Sequence, residues 1–211
     1  MGVGFDRLAR WYRPLEYLAF GNSLERARRR HLPALARCRH ILVLGEGDGR
    51  CLRVLSALAP DARIRVVDGS AAMLARARQR LSADAAPRVT FEQGDVRSID
   101  MPAATYDAVV TLFILDCFDA RDAAQVVSRV RASLCPGARW IFADFVMPPA
   151  GWRRWRAMVW IRGLYFFFGL ATNLRVTSLP PSESLIARTG ARPISAARYQ
   201  GDMIHSVLFE V

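Results

Sequence analysis

The sequence contains no lysine, only four cysteines and three histidines, and no long hydrophobic run. None of the cysteines stands in a CxxC pair and the histidines are isolated, so neither a zinc site nor a disulfide framework is expected. The longest strongly apolar stretch, residues 163–174, has 12 residues, which is too short to cross a bilayer. The first twenty residues mix charged and apolar positions, unlike a secretory signal peptide. These absences make a cytoplasmic protein the expectation.

The chain has 211 residues, of which 52% are hydrophobic and 23% charged. It is therefore long enough for one domain with a sizeable core and too short for two ordinary domains. The formal net charge is +11. Residues 1–40 carry nine arginines against three acids, residues 41–150 thirteen against thirteen, and residues 151–211 eight against three. All the excess positive charge thus lies in the two flanks.

Short apolar strands alternate with helices through the middle of the chain. Strands are predicted at residues 40–44, 64–67, 89–92, 106–115 and 140–146, and helices at 52–58, 71–81 and 123–134. Ser70 is the expected N-cap of the second of these helices, and Pro136-Gly137 is expected to stop the third. This rhythm predicts an α/β fold with an open, mostly parallel sheet and helices on both faces.

Further elements flank this core. Helices are predicted at residues 5–20 and 23–35, the second with a capping box from Asn22 and Glu25, and at 152–170. A short helix to Thr189 precedes strands at 191–199 and 203–211, which the tight turn between them makes antiparallel. We expect a single domain with an N-terminal helical cap (1–37), a core (38–147), an inserted cap helix (148–175) and a C-terminal helix with the strand pair (176–211).

A glycine-rich turn follows the first strand of the core, with glycines at positions 45, 47 and 49. A dinucleotide-binding fingerprint needs its last glycine at position 50, where Arg50 stands. Glu46 and Asp48 lie in the turn and would repel a pyrophosphate at close range. S-adenosylmethionine, a sulfonium with an ammonium group and one carboxylate, is a better match. A glycine-rich loop without a ligand is the alternative interpretation.

Two acids follow at the ends of the next strands. Asp68 ends the second strand, where a carboxylate can accept hydrogen bonds from both ribose hydroxyls, and Asp95 follows the third, where it can accept from an adenine amino group. Open α/β sheets bind ligands at this edge. Either acid alone could be a helix cap or a solvated turn residue, but the combination with the glycine turn is more specific.

These residues resemble the class I S-adenosylmethionine-dependent methyltransferases over roughly residues 38–147. Within that family the sequence is most similar to the small-molecule group that includes the ubiquinone and menaquinone biosynthesis enzymes. The resemblance implies a Rossmann-like, seven-stranded, mostly parallel sheet with an antiparallel last strand. The matching motifs are Gly45-x-Gly47-x-Gly49, Val67-Asp68-Gly69-Ser70 with Met73-Leu74, Gly94-Asp95-Val96, Tyr106-Asp107 and Leu134-x-Pro136-Gly137.

The resemblance also implies contacts with the cofactor. The methionine part would pack against Gly45, Gly47 and Gly49, and the ribose and its surroundings would lie at Asp68, Gly69, Ser70 and Met73. The adenine would lie at Asp95 and Val96. Leu112 and Phe113 would lie under the methionine near the methyl group, and Tyr12 would cover the cofactor.

The glycine turn departs from the family pattern at two positions. The family often has an acid where Val43 stands, and a small residue or cysteine where Glu46 stands. We expect Glu46 to contact the cofactor ammonium, and we include Asp48 among the cofactor-binding residues of the turn.

Methyl transfer from a sulfonium needs alignment more than a fixed catalytic motif, and it releases S-adenosylhomocysteine without a metal. Asp116 and Asp144 follow the fourth strand and end the fifth, so they are candidates to orient the acceptor or take its proton, although a cap or a salt bridge would also explain each. His205 is expected to be a hydrogen-bonded core residue. The oligomeric state is open.

The expected acceptor is a small molecule, hydrophobic, aromatic or lipid-like. An RNA or protein methyltransferase that uses the arginine-rich flanks, and a non-catalytic S-adenosylmethionine-binding or interaction protein, are the alternatives. Nucleic acid is the less favoured partner because residues 115–118 lack the Asn-Pro-Pro-Tyr-type motif of base-directed enzymes. Residues 152–170 begin with arginines and tryptophans and end with a run of aromatic residues. This pattern predicts either a lid over the site or a peripheral contact with the inner face of an anionic membrane.

Overall fold

The computed structural model of the protein describes residues 20–148, 151, 152, 155, 158 and 179–211. Within them, seven strands form one sheet in the order β3-β2-β1-β4-β5-β7-β6. Neighbours among β1 to β5 are parallel, whereas β7 is antiparallel to both β5 and β6. The strands are β1 His40–Leu44, β2 Arg63–Asp68, β3 Val89–Gln93, β4 Tyr106–Leu112, β5 Leu134–Phe145, β6 Arg192–Tyr199 and β7 Ile204–Glu210. The predicted fold class is confirmed.

Helices cover both faces of the sheet, and each face has its own hydrophobic core. Alternate residues of one strand point to opposite cores, as Leu42 and Val43 of β1 do. Trp140 is fully buried in the sheet, and its indole Nε1 donates to Thr111 Oγ1 at 2.9 Å. The helices are α1 Ser23–Arg29, α2 Arg50–Leu58, α3 Ala71–Arg80, α4 Ala120–Ser133 and α5 Ser182–Arg188, with 3-10 turns at Leu32–Leu35, Ala86–Arg88 and Leu115–Cys117.

Local hydrogen bonds explain where two of these helices begin. Ser70 Oγ accepts from the Met73 N–H at 3.2 Å, which confirms the predicted N-cap of α3. In α4 the side chain of Asp119 accepts from the Asp122 N–H at 2.8 Å. The helix therefore begins at Ala120, three residues before the predicted position 123.

The helix predicted over residues 23–35 is shorter in the structure. It ends at Arg29, and Leu32–Leu35 forms a 3-10 turn with Pro33, which has no N–H to donate, near its start. The predicted capping box is wrong, because the Asn22 side chain makes no cap hydrogen bond. Glu25 instead forms ion pairs with Arg29 and Arg50.

The prediction also misplaced the boundaries around β4 and β5. Phe113 adopts a left-handed conformation, with φ +54°, so β4 ends at Leu112 and not at residue 115. Pro136-Gly137 does not stop α4. Leu134 is already extended and begins β5, so the proline and glycine lie inside the strand, where its register against β4 shifts.

Most of two predicted cap elements lies outside the described residues. This applies to Tyr12 with nearly all of the helix at 5–20, and to most of the helix at 152–170. Gly151, Trp152, Trp155 and Met158 are described and helical. In the described ranges, no helix combines the length and apolar character needed to span a membrane.

Candidate functional site

A cavity of about 440 Å³ opens at the carboxyl ends of β1 to β4, which is the edge where open α/β sheets bind ligands. Twelve of the predicted cofactor-binding residues line it: Gly45, Glu46, Gly47, Asp48, Asp68, Gly69, Ser70, Met73, Asp95, Val96, Leu112 and Phe113. Sequence reasoning missed the other wall residues, which are Arg28, Arg50, Cys51, Gln93, Gly94, Ile114, Cys117 and Phe118. Gly49, Asp116 and Asp144 lie outside the wall.

The glycines of the turn have different roles. A Cβ on Gly47, whose φ is +68°, would meet no atom within 4 Å, so the main chain is open to the cavity there. Gly49, with φ +86°, is the N-cap of α2, and a Cβ on it would lie 2.4 Å from Ala77 Cα. Gly49 therefore lets α2 pack closely against α3. The prediction that Gly49 contacts the cofactor is not met, because it lies outside the cavity wall.

Asp68 connects the glycine turn to the start of α3. Its Oδ2 accepts from the Gly47 N–H at 3.1 Å, and its Oδ1 accepts from the Ser70 N–H at 2.9 Å. Both oxygens are thus fixed in the cavity wall. Each carboxylate oxygen can accept more than one hydrogen bond, so this placement suits a neighbouring pair of hydroxyl groups.

Glu46 is directed at the first turn of α2, where its Oε1 accepts from the Leu52 N–H at 2.7 Å. Burial raises the pKa of the Glu46 carboxyl to about 8, although this hydrogen bond and the charge of Arg28 oppose the rise. Glu46 is therefore mostly protonated at neutral pH. Because it remains in the cavity wall, a cation bound beside it would favour its ionised form.

Two other acids of the wall are compensated by arginines. Asp48 pairs with Arg50 at 3.0 Å and with Arg80 at 3.1 Å. Asp95 accepts from the side chain of Arg97 at 2.5 Å and from its main-chain N–H at 3.0 Å, which holds the pKa of Asp95 below its ordinary value. The predicted adenine-binding carboxylate thus lies in the wall, but a neighbouring guanidinium already holds it.

The candidate catalytic acids lie together behind the wall. Asp144 Oδ2 accepts from the Asp116 N–H at 3.1 Å, and its Oδ1 accepts from the Phe145 N–H at 2.9 Å. Burial raises the pKa of Asp116 to about 6 and that of Asp144 well above its ordinary value, where the negative charge of Asp116 adds to the effect. Cys117, which donates to Asp116, is their neighbour in the wall.

The end of β4 forms the aromatic part of the cavity. The Phe113 N–H donates to Ala143 O at 2.7 Å, which fixes the left-handed turn. The ring centroid of Phe113 lies 5.2 Å from that of Phe145, and the guanidinium carbon of Arg28 lies 4.9 Å from the centroid of the Phe113 ring. Sequence reasoning missed Arg28 because it is one of four arginines in residues 26–30, and only the packing of α1 distinguishes it.

Among the described residues, no group of three or more His, Cys, Asp or Glu side chains could hold a metal ion.

A second cavity, of about 490 Å³, lies beyond Phe145 and is lined by Phe142, Phe209 and Glu183 among others. Glu183 Oε2 contacts His205 Nδ1 at 2.8 Å. His205 is therefore a hydrogen-bonded, largely buried residue, as predicted.

Comparison with known proteins gives a consistent result. Residues 41–137 match the family model described as "Methyltransferase domain". Trans-aconitate 2-methyltransferase of Methylobacterium nodulans is 36% identical over 103 residues, which cover 49% of this chain and 37% of that protein. The chain therefore matches little more than a third of the length of this curated relative.

Solved methyltransferase structures share the fold. N-methyltransferase NodS from Bradyrhizobium japonicum, in complex with S-adenosyl-L-homocysteine, superposes with a TM-score of 0.64 at 16% identity, over 89% of this chain and 87% of that chain. An S-adenosylmethionine-dependent methyltransferase from Mesorhizobium loti gives 0.63 at 20% identity, over 88% and 98%. At these identities the likeness is one of fold.

Proposed function

We propose that this chain, which belongs to the class I S-adenosylmethionine-dependent methyltransferase family, transfers a methyl group to a small organic acceptor. The observation that carries the proposal is the cavity at the sheet edge, where the open main chain of Gly47 and the fixed carboxylate of Asp68 meet. An accessible main chain next to a carboxylate suits a nucleoside, because its ribose carries two neighbouring hydroxyl groups.

The residues present fit S-adenosylmethionine along the whole cavity. Asp68 would hold the ribose hydroxyls, Asp95 and Val96 would border the adenine, and Glu46 would face the ammonium group. Four residues of the wall, Glu46, Asp48, Asp68 and Asp95, are acids. Carboxylates repel a pyrophosphate at close range and suit a cationic ligand better. The bound cofactor supplies an activated methyl group on a sulfonium.

This chain's own contribution is alignment and exclusion of water. Leu112, Phe113 and Phe118 line the cavity with apolar surface, so an acceptor bound there is held against hydrocarbon rather than solvent. Asp116 and Asp144 are positioned behind that surface and not in the wall, so we propose that they fix the main chain after β4. The aromatic wall favours the hydrophobic or aromatic acceptor expected from the sequence.

Labelled methyl transfer tests this function. Protein with tritium-labelled S-adenosylmethionine is incubated with three fractions of a bacterial extract, namely small molecules, RNA and protein. We expect label in the small-molecule fraction, and loss of that label with Asp68→Asn but not with Asp84→Asn, an exposed control. Label only in RNA or protein would support the arginine-flank alternative, and binding without transfer to any fraction would support the non-catalytic one.

We also propose a peripheral contact with anionic membranes. The side chains of Trp152 and Trp155 are 66% and 68% exposed, and they are three residues apart in helical conformation, so they share one side. Arginines surround them in the sequence, and tryptophan with arginine is typical of interfacial helices. The protein should co-sediment with phosphatidylglycerol vesicles and not with phosphatidylcholine vesicles. The double variant Trp152→Ser/Trp155→Ser should no longer co-sediment with phosphatidylglycerol vesicles, whereas the exposed control Ile194→Ser should co-sediment like wild type.

A further inference from the structure

An arginine holds the acid at the adenine end of the cavity. Asp95 lies in the wall, in the loop that follows β3. Its Oδ1 accepts from Arg97 Nε and from the Arg97 main-chain N–H, each at 3.0 Å, and its Oδ2 accepts from Arg97 Nη2 at 2.5 Å and lies 3.1 Å from Nε. The guanidinium therefore lies side-on against the carboxylate, an arrangement that fixes the direction of both groups.

The same guanidinium contacts α4. Arg97 Nη1 donates to Asp122 Oδ2 at 2.8 Å, and the guanidinium carbon lies 5.8 Å from the ring centroid of Phe118, a buried residue of the cavity wall. Asp122 lies in the first turn of α4, whose apolar face is buried against the sheet. Arg97 thus connects the acid of the loop to a helix that packing holds in place.

Other hydrogen bonds hold the main chain of this loop. The Ile99 N–H donates to Asp95 O at 2.8 Å. Arg129 of α4 donates to Val96 O at 3.0 Å and also to Ile99 O. Because these contacts fix the main chain, the task left for the Arg97 guanidinium is to fix the direction of the Asp95 carboxylate.

The carboxylate of Asp95 keeps a limited capacity to accept hydrogen bonds. Its two oxygens offer about four positions for donors, and three N–H groups of Arg97 take up three of them. These hydrogen bonds also hold the pKa of Asp95 below its ordinary value, so the group is ionised at neutral pH. One charged acceptor position therefore remains, and Arg97 determines where it is directed.

We infer that Arg97 is a positioning residue that, through Asp95, determines the preference of the site for an adenine base. The inference rests on the proposed function, in which the adenine lies at Asp95 and Val96. The exocyclic amino group of the base donates to the position left on Asp95, and the guanidinium keeps that position fixed before the ligand binds. A fixed acceptor avoids the cost of ordering a side chain on binding.

Two nucleosides that differ in one group provide the test. The full chain is titrated in a calorimeter with S-adenosylhomocysteine and with its purine-riboside analogue, which lacks only the exocyclic amino group. Wild type should bind S-adenosylhomocysteine about tenfold to hundredfold more tightly than the analogue. Arg97→Met should reduce this ratio by about threefold to tenfold. Arg97→Lys, whose ammonium lacks the planar fork of the guanidinium, should restore part of the ratio.

A double-variant cycle separates positioning from a general loss of order. Asp95→Ala should remove most of the preference for the amino group. Arg97→Met added to Asp95→Ala should leave the ratio unchanged, because Arg97 acts through Asp95. Arg129→Met is the matched control: Arg129 holds main-chain oxygens of the same loop and has no printed bond to the carboxylate, so its loss should weaken the binding of both nucleosides alike.

A wild-type ratio near one would overturn the inference, as would a ratio that Arg97→Met leaves unchanged or raises. An equal fall of the ratio in Arg129→Met would also overturn it, because the order of the loop and not the direction of Asp95 would then set the preference. Failure of wild type to bind either nucleoside would contradict the proposed function itself, and the inference with it. Thermal unfolding of each variant verifies that it is folded.

Discussion

Cofactor affinity should depend on pH through Glu46. This carboxyl is in the cavity wall, accepts from the Leu52 N–H, and has its pKa raised to about 8 by burial. If the cofactor ammonium binds only the ionised form, the observed affinity equals the affinity of that form multiplied by the fraction of protein in which Glu46 is ionised. That fraction rises with pH, because a carboxyl loses its proton above its pKa.

The size of the effect follows from the raised pKa of Glu46, about 8. Glu46 is ionised in about one molecule in a hundred at pH 6, about one in ten at pH 7 and about half at pH 8. The dissociation constant for S-adenosylhomocysteine, which carries the same ammonium group, should therefore fall roughly fiftyfold between pH 6 and pH 8. Binding at the lower pH should release close to one proton.

Calorimetric titrations at pH 6, 7 and 8, each in two buffers of different ionisation enthalpy, measure the affinity and the protons released. Glu46→Gln is the matched variant, because a Gln oxygen can still accept from the Leu52 N–H. Its affinity should be nearly constant over this range, and lower than that of wild type at pH 8. Asp116→Asn, outside the wall, controls for the buried pair Asp116 and Asp144, whose pKa values are also raised. Constant wild-type affinity from pH 6 to pH 8, or an undiminished slope in Glu46→Gln, would refute the reasoning.

Two further predictions concern stability. Gly49→Ala should lower the free energy of unfolding by about 2–4 kcal/mol, since φ is +86° and the new Cβ would lie 2.4 Å from Ala77 Cα; Gly137→Ala, at φ +77° in open space, should lose only about 1 kcal/mol in the same urea titration. Burial lowers the pKa of His31 below 6.5 in the folded protein, so the unfolded chain takes up a proton at a pH where the folded protein does not. The free energy of unfolding should therefore fall as pH drops below 6.5. His31→Gln should weaken that fall in melting temperature between pH 7 and pH 5.5, and an unchanged fall would assign it to other groups.

Local patterns were sufficient to predict the core of the fold. The glycine turn after β1 and the carboxylate at the end of β2 are short-range features, and the parallel edge of the sheet brings them together without further information. The Ser70 cap was predictable for the same reason, because its partner, Met73, is three residues away.

Features that depend on distant contacts were missed. Arg28 enters the cavity wall because α1 packs on β7, 175 or more residues further along the chain. Beside the Asn22 capping box that does not form, Gln200, also remote in sequence, donates to Phe20 O and Ser23 Oγ. A pattern of neighbouring residues carries no information on such pairs.

Element boundaries failed where one residue left its expected conformation. Phe113 turned left-handed and shortened β4, and Leu134 became extended and began β5 before the proline that was expected to separate helix from strand. Both residues are apolar and suit either element, so the tertiary packing around them decided the conformation.

The most direct test of the account is the binding of S-adenosylhomocysteine to wild type, Asp68→Asn and Asp84→Asn. Asp68 accepts from Gly47 and Ser70 in the cavity wall, and Asp84 is exposed and outside it. The account predicts that wild type and Asp84→Asn bind equally well by calorimetry, and that Asp68→Asn binds about a hundredfold more weakly, since its amide no longer offers two charged acceptors to the ribose. Equal binding by all three proteins, or no binding by wild type, would contradict it.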